Sequence, residues 1–274
     1  MIRKAAAFAG RFLGLYSDNR LVMASAALSY NLTMTFFPLV IVLYTLLGNN
    51  YSAAMEILDF AKDLLSEETL EVLRAFLGYV TENNSEAMMI AGITVLVSSA
   101  SAAVRTIHFT VGRMQGGKRF EGAALIVFSI LYSVILTACV YLGMLIILSG
   151  EAVLEKLQTI LTFLDVGSAW HILRFVLLGL IEFGLFWVTY ALLRRKEEPY
   201  PVLAGAIAAT AAMVVLSLFF SLVISASVKY SLVYGSLAAM ILLMLWLYFG
   251  ALVFFCGDAL NICIRDSKEA EDRP

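Results

Sequence analysis

The sequence predicts an all-α protein: an integral membrane bundle of six transmembrane helices, with amphipathic interfacial helices and with both the N- and C-termini cytoplasmic. Three observations carry that expectation. Of the 274 residues, 61% are hydrophobic and 15% charged, against about a quarter charged in soluble domains. Six apolar stretches each reach the roughly 20 residues needed to cross a hydrocarbon core of about 30 Å. The remaining charges are sorted by side. Fourteen of the nineteen Lys and Arg fall at the termini and in the loops on their side, which the positive-inside rule makes cytoplasmic. The other side is acidic, with eight carboxylates from Glu56 to Glu86.

The elements follow in order within a single membrane domain, 1–274. Residues 1–20 read as an interfacial amphipathic helix. Ala5, Phe8, Phe12 and Leu15 face the lipid interface, and Arg3, Lys4 and Arg11 face the headgroups. This segment is basic but lacks the apolar core of a cleaved signal peptide. Asp18 and Asn19 offer a helix start. The first span, 24–47, holds no charge, yet Ser25, Ser29 and Thr33 recur every four residues on one face. Tyr30, Asn31 and Thr35 flank that face. Polar groups in hydrocarbon need partners inside the protein, so this face points at other helices or at a wet cavity. Pro38 lacks an N–H and crowds the carbonyl of Met34, which marks it as a bend or hinge.

Residues 49–86 are too charged to cross. They read as two extracytoplasmic amphipathic helices, the second capped by Ser66 with Glu67 and Glu68 in its first turn. The second span, 87–106, is rich in Ala and Ser, which permits close helix contact. The third span is 122–148, and residues 151–170 return to amphipathic spacing on the outer side. The fourth span, 172–193, is interrupted by Glu182 and closed by Arg194, Arg195 and Lys196, after which Pro199 and Pro201 mark a turn. The fifth, 202–226, and sixth, 236–262, flank a short loop at Lys229, and 264–274 form a cytoplasmic tail. Spans one to four hint at a paired repeat in hydropathy only, with no shared motif.

Glu182 is the sharpest candidate. It lies eight residues past Arg174, deep in a span, where a charged side chain costs about 2.5–3.5 kcal/mol or more. It contacts substrate or couples protons, or else it is a neutral carboxyl bonded to a neighbouring helix. Asp258 and Asn261 share one face of the sixth span, either as site residues or as helix contacts screened by Arg265. Arg105 ends the second span and either snorkels to the interface or contacts an anionic lipid headgroup. Cys139, Cys256 and Cys263 are scattered packing residues, and His108 and His171 stand alone, so no metal site is expected. Nor is there a phosphate-binding glycine loop or a nucleophile elbow. The expectation is a protein that is not an enzyme and needs no cofactor.

Three stretches together resemble a known family. They are Ala26-Ala27-Leu28-Ser29-Tyr30 followed by Phe36-Phe37-Pro38; Tyr190 ahead of a basic, proline-containing loop, with Gly205 beyond it; and Tyr234-Gly235-Ser236-Leu237-Ala238-Ala239, then Trp246, then Gly257-Asp258-Ala259-Leu260-Asn261. In order and spacing they resemble the YihY/BrkB family of bacterial inner-membrane proteins, over most of residues 24–261. Here the last motif carries its carboxylate at Asp258, one position earlier than members typically do. Arg105 and His108 stand where members usually have an Asn. The resemblance implies six spans and a multi-pass place in the bacterial cell membrane. Members carry labels as ribonuclease BN, as serum-resistance factors and as transporters linked to envelope lipids. The nuclease label fits poorly, because RNA hydrolysis needs a metal or an acid–base pair in an aqueous site.

The leading expectation is therefore a transporter or flippase-like protein for a lipid or other amphiphilic envelope substrate. Ser29, Asn31, Glu182, Asp258 and Asn261 are the candidates for its groove. The alternative is a non-transporting scaffold whose acidic outer helices bind envelope partner proteins. Membrane lipids are the expected partners and nucleic acid is not; the oligomeric state is left open.

Overall fold

The computed structural model describes residues 2–46, 50–61, 67–83, 85–117, 120–158, 166–194, 201–226 and 236–272. Among them the only regular element is the α-helix. In chain order these are α1 (Ile2–Asp18), α2 (Leu21–Leu46), α3 (Tyr51–Ala61), α4 (Glu67–Glu82), α5 (Glu86–Met114), α6 (Gly122–Gln158), α7 (Val166–Leu193), α8 (Leu203–Ala226) and α9 (Ser236–Asp272). Six of them (α2 and α5 to α9) are long and apolar enough to cross a membrane. The expected cap at Ser66, the loop of Arg195, Lys196 and Pro199, and the loop at Lys229 lie outside the described residues.

The six long helices pack as a ring in chain order. Helix α5 lies between α2 and α6, α7 between α6 and α8, and α9 closes the ring by packing on both α8 and α2. Packing across the ring is sparse. The main core sits at the end that carries the termini. There Leu21 and Leu28 of α2 meet Ala103 and Val111 of α5, Tyr190 of α7, Ala206 of α8, and Phe254, Phe255 and Ile262 of α9. A smaller cluster at the other end joins Tyr44 of α2 and Ala54 of α3 to Leu77 and Val80 of α4. The two amphipathic helices therefore bury apolar residues against the bundle and leave Glu56, Asp59, Glu71 and Glu82 exposed.

Helix α1 corrects an expectation about its surroundings. Leu15 is buried, and Phe8, Phe12 and Tyr16 pack on the main core. The apolar stripe chosen by helical period is the right one, but protein covers much of it where lipid was expected. Asn19 also plays a different part: its Nδ2 donates to Leu15 O (2.9 Å) and closes α1. The start of α2 falls to Arg20, in the left-handed region at φ 51°, whose carbonyl accepts from Ala24 N–H at 3.0 Å. At the far end of the chain Arg11 Nε pairs with Asp266 at 2.8 Å, and Arg265 pairs with the same carboxylate at 2.8 Å. Arg11 is more than half exposed, so Arg11→Ala is expected to cost at most about 1 kcal/mol. Thermal unfolding in detergent reads this; a larger loss would mean that the ion pair, and not the apolar stripe, docks α1.

Several helices outrun their spans. Ser85 caps α5, accepting from Met88 N–H at 3.2 Å, and α5 continues past Arg105 to Met114. The terminator is Gly116 at φ 70°, with Gly117 N–H donating back to Gly112 O at 2.9 Å. That is a glycine C-cap, and nothing between Arg105 and Met114 breaks the helix. Helix α6 runs on past Gly150, since one interior glycine costs only about 1 kcal/mol. Helix α9 extends through the tail to Asp272, where no Gly or Pro intervenes before Pro274.

Candidate functional site

The polar face of α2 is settled largely within its own helix. Ser25, Ser29 and Thr33 are buried, and each hydroxyl donates to a carbonyl on α2: Leu21 O at 2.8 Å, Ala26 O at 2.9 Å and Ser29 O at 2.8 Å. Such back-bonding satisfies a hydroxyl in hydrocarbon without a second helix. Asn31 does reach across. Its Nδ2 donates to Thr106 Oγ1 of α5 at 3.0 Å, and one turn on Thr35 donates to Ser99 Oγ at 3.1 Å. These bonds tie α2 to α5. The helix is continuous through Pro38, and the neighbouring Phe37 packs edge-on to Phe76 of α4, with ring centroids 5.2 Å apart.

Asp258 and Asn261 are brought together, both fully buried on α9. Gly205, the third residue of α8, has an N–H without an acceptor in its own helix. Asn261 Oδ1 accepts it at 2.7 Å. The contact needs two glycines. A Cβ at Gly205 would overlap the Gly257 carbonyl oxygen and come within 2.5 Å of Asn261 Nδ2. A Cβ at Gly257 would lie 2.6 Å from the Tyr190 hydroxyl and 2.9 Å from Gly205 O. Tyr190 itself donates to Phe254 O at 2.7 Å. In this corner α8 and α9 meet main chain against main chain at Gly205 and Gly257, and the Tyr190 side chain joins α7 to them. Sequence reading named Gly205, Tyr190 and Asn261 separately; the signal that joins them is the four-residue spacing of Gly257 and Asn261, one face of one helix.

Glu182 lies elsewhere, on the α6-facing stripe of α7. On that stripe Leu178 approaches Gly143 of α6, and Thr189 meets the Tyr132 hydroxyl. Glu182 falls between these two contacts by helical period. It is half-buried, and among the described residues it makes no hydrogen bond or ion pair. The five groove candidates thus do not share one seam: Asn31 faces α5 from α2, Ser29 is buried on a different face of α2, Glu182 lies at α6–α7, and Asn261 joins α9 to α8 with Asp258 buried on the same helix. Arg105 belongs to none of these. It is half-buried inside α5 and lines a cavity of about 470 Å³ with Ser98, Ser101 and Ile130. Among the described residues no three His, Cys, Asp or Glu side chains converge as metal ligands, and the three cysteines are free.

A family model described as Virulence factor BrkB matches residues 12–274. The chain belongs to the BrkB family. This is the family that the stretches at residues 26–38, 190–205 and 234–261 resemble. The BrkB-family chain is 21% identical, over 90% of its length and 91% of the relative's, to YfkH of Bacillus subtilis, which is named as ribonuclease-like. It is 23% identical to the UPF0761 membrane protein MS0032 of Mannheimia succiniciproducens, covering 92% of this chain and 88% of that one. A UPF0761 membrane protein of Histophilus somni is likewise 23% identical, over 95% and 91%. No solved structure matches the chain. The match to the family model takes in all six long helices.

Proposed function

We propose that this BrkB-family protein resides in the bacterial cell membrane and moves a lipid or other amphiphilic envelope molecule across it, as a transporter or flippase-like protein without enzymatic activity or cofactor. Glu182 carries this reading. A carboxyl held at mid-helix in hydrocarbon costs about 2.5–3.5 kcal/mol or more. The bundle does not need it for packing, since Leu178 and Thr189 already join α6 to α7 on either side. A polar group kept at such a cost, and left half-exposed, is suited to meet a polar group that passes through the membrane. Asn31 and Asn261 are different, because each is engaged between helices.

The test is transbilayer movement of a fluorescently labelled phospholipid in proteoliposomes containing the full chain. Wild type is expected to accelerate movement, and Glu182→Gln to slow it by about ten-fold, equivalent to about 1.4 kcal/mol of barrier. Asn31→Ala, which acts at a helix contact, is expected to lower stability with a smaller effect on rate per folded molecule. Equal rates for wild type and Glu182→Gln would remove Glu182 from the route. A wild type that moves no labelled lipid, while α3 and α4 retain a purified envelope partner, would favour the scaffold.

A further inference from the structure

The α5–α6 seam holds a groove that none of the contacts above uses. Thr94, Ser98, Ser101 and Arg105 line it from α5, and Ile130 from α6. Their spacing of three or four residues sets them on one stripe. That stripe is turned away from α2, which meets Ser99 and Thr106, and from the main core, which takes Ala103 and Val111. The groove therefore opens where lipid would cover the bundle. Its depth is set by His108, one turn further along α5, whose Nε2 meets Phe120 O at 2.8 Å just before α6 begins. Arg105 thus lies about one turn inside the level at which α6 begins and nine residues before α5 ends at Met114, in the half of the bundle that carries the termini, from which a long side chain can extend toward headgroups.

Two polar groups in this groove lack what their neighbours have. On α5, the hydroxyls of Thr94, Ser98, Ser99, Thr106 and Thr110 all donate to carbonyls of their own helix. Ser101 does not: its Oγ is buried, with the residue 2% exposed, and among the described residues it has no hydrogen-bond partner. Arg105 is half-buried, and among the described residues its guanidinium makes no hydrogen bond or ion pair. Among the described residues no carboxylate lines the groove. A buried hydroxyl and a planar cation with five donors fit an anion with several acceptor oxygens. Val97, Ile93 and Ile130 continue the same groove as apolar wall, which fits a hydrocarbon chain.

We propose that this groove binds the phosphate of an amphiphile, with Arg105 and Ser101 on the phosphate and the acyl chain along Val97 and Ile130. The site gives the headgroup class for the transport reading and rests on it in that respect, but binding is read here without transport. Native mass spectrometry of the full chain in mild detergent is the test, with phosphatidylglycerol, dioleoylglycerol and inorganic phosphate as probes. Wild type is expected to retain phosphatidylglycerol and not dioleoylglycerol, which has the chains without the phosphate. Arg105→Gln is expected to lose retention about ten-fold or more, the weight of a charge-assisted hydrogen bond. Ser101→Ala is expected to lose less, and Arg113→Gln, at an exposed position in the last turn of the same helix, to retain lipid as wild type does. Displacement by millimolar inorganic phosphate would assign the site to the phosphate alone; failure to displace would assign it to the lipid. Equal retention by wild type, Arg105→Gln and Ser101→Ala would overturn the proposal, as would equal retention of dioleoylglycerol. If Arg105→Gln does not fold, Ser101→Ala and the dioleoylglycerol comparison in wild type decide it alone. Loss of lipid movement in Glu182→Gln with phosphatidylglycerol still bound would separate the route from this site.

Discussion

Gly205→Ala is expected to lower the stability of the folded protein by about 3 kcal/mol or more, at the upper end for a single added methyl. The methyl would overlap the Gly257 carbonyl oxygen, a main-chain atom of a long helix that has no rotamer to change. Relief requires α8 and α9 to part. Parting them breaks the bond from Gly205 N–H to Asn261 Oδ1, and each buried polar group left without a partner adds about 1–3 kcal/mol. Two failures then follow from one methyl. The measurement is thermal unfolding in detergent with size exclusion to confirm the folded fraction. Gly184→Ala on α7 is the control, because its Cβ would meet nothing within 4 Å. That exchange is expected to be neutral or to stabilise by up to about 1 kcal/mol. If Gly184→Ala cost as much as Gly205→Ala, close approach would not be the cause.

The same corner marks the boundary of what was legible in the chain. The existence and order of the six spans follow from apolar length alone, and the structure has a helix at each. Ends were less legible where charge stood in for geometry. Arg105 looked like the end of a span because it is charged, whereas α5 ends where Gly116 can take a positive φ. The apolar stripe of α1 was readable from its period, but period does not say whether lipid or protein will cover it, and Leu15 turned out buried. Polar candidates were chosen residue by residue, and a hydroxyl in sequence does not reveal whether its own helix will satisfy it. Ser29 is satisfied that way and Ser101 is not. Only three-dimensional packing separates the two, and it is Ser101, one of the serines of the Ala- and Ser-rich second span, that joins Arg105 in a groove.

Tyr190→Ala is expected to cost about 3–5 kcal/mol, the range for removing a buried aromatic ring, whereas Tyr190→Phe should cost about 1 kcal/mol. Tyr190 has no exposed surface, and its ring packs 4.9 Å from Phe254 and 6.3 Å from Phe186, centroid to centroid. The hydroxyl adds one bond, to Phe254 O at 2.7 Å. In Tyr190→Phe that carbonyl keeps the N–H that its own helix supplies, so no acceptor is orphaned and the loss stays small. Unfolding midpoints of the two variants in detergent give the comparison. A Tyr190→Phe loss as large as that of Tyr190→Ala would shift the weight from the ring to the hydroxyl. The hydroxyl also stands 2.6 Å from where a Cβ on Gly257 would go. Gly257→Ala should therefore be less damaging in a Tyr190→Phe background, with a coupling of about 1 kcal/mol. Rescue will be partial, because Ala209 Cβ and Gly205 O each remain 2.9 Å from the added methyl. Absence of any coupling would place the whole obstruction on α8, and the Tyr190 hydroxyl would then serve only to anchor α7 to α9.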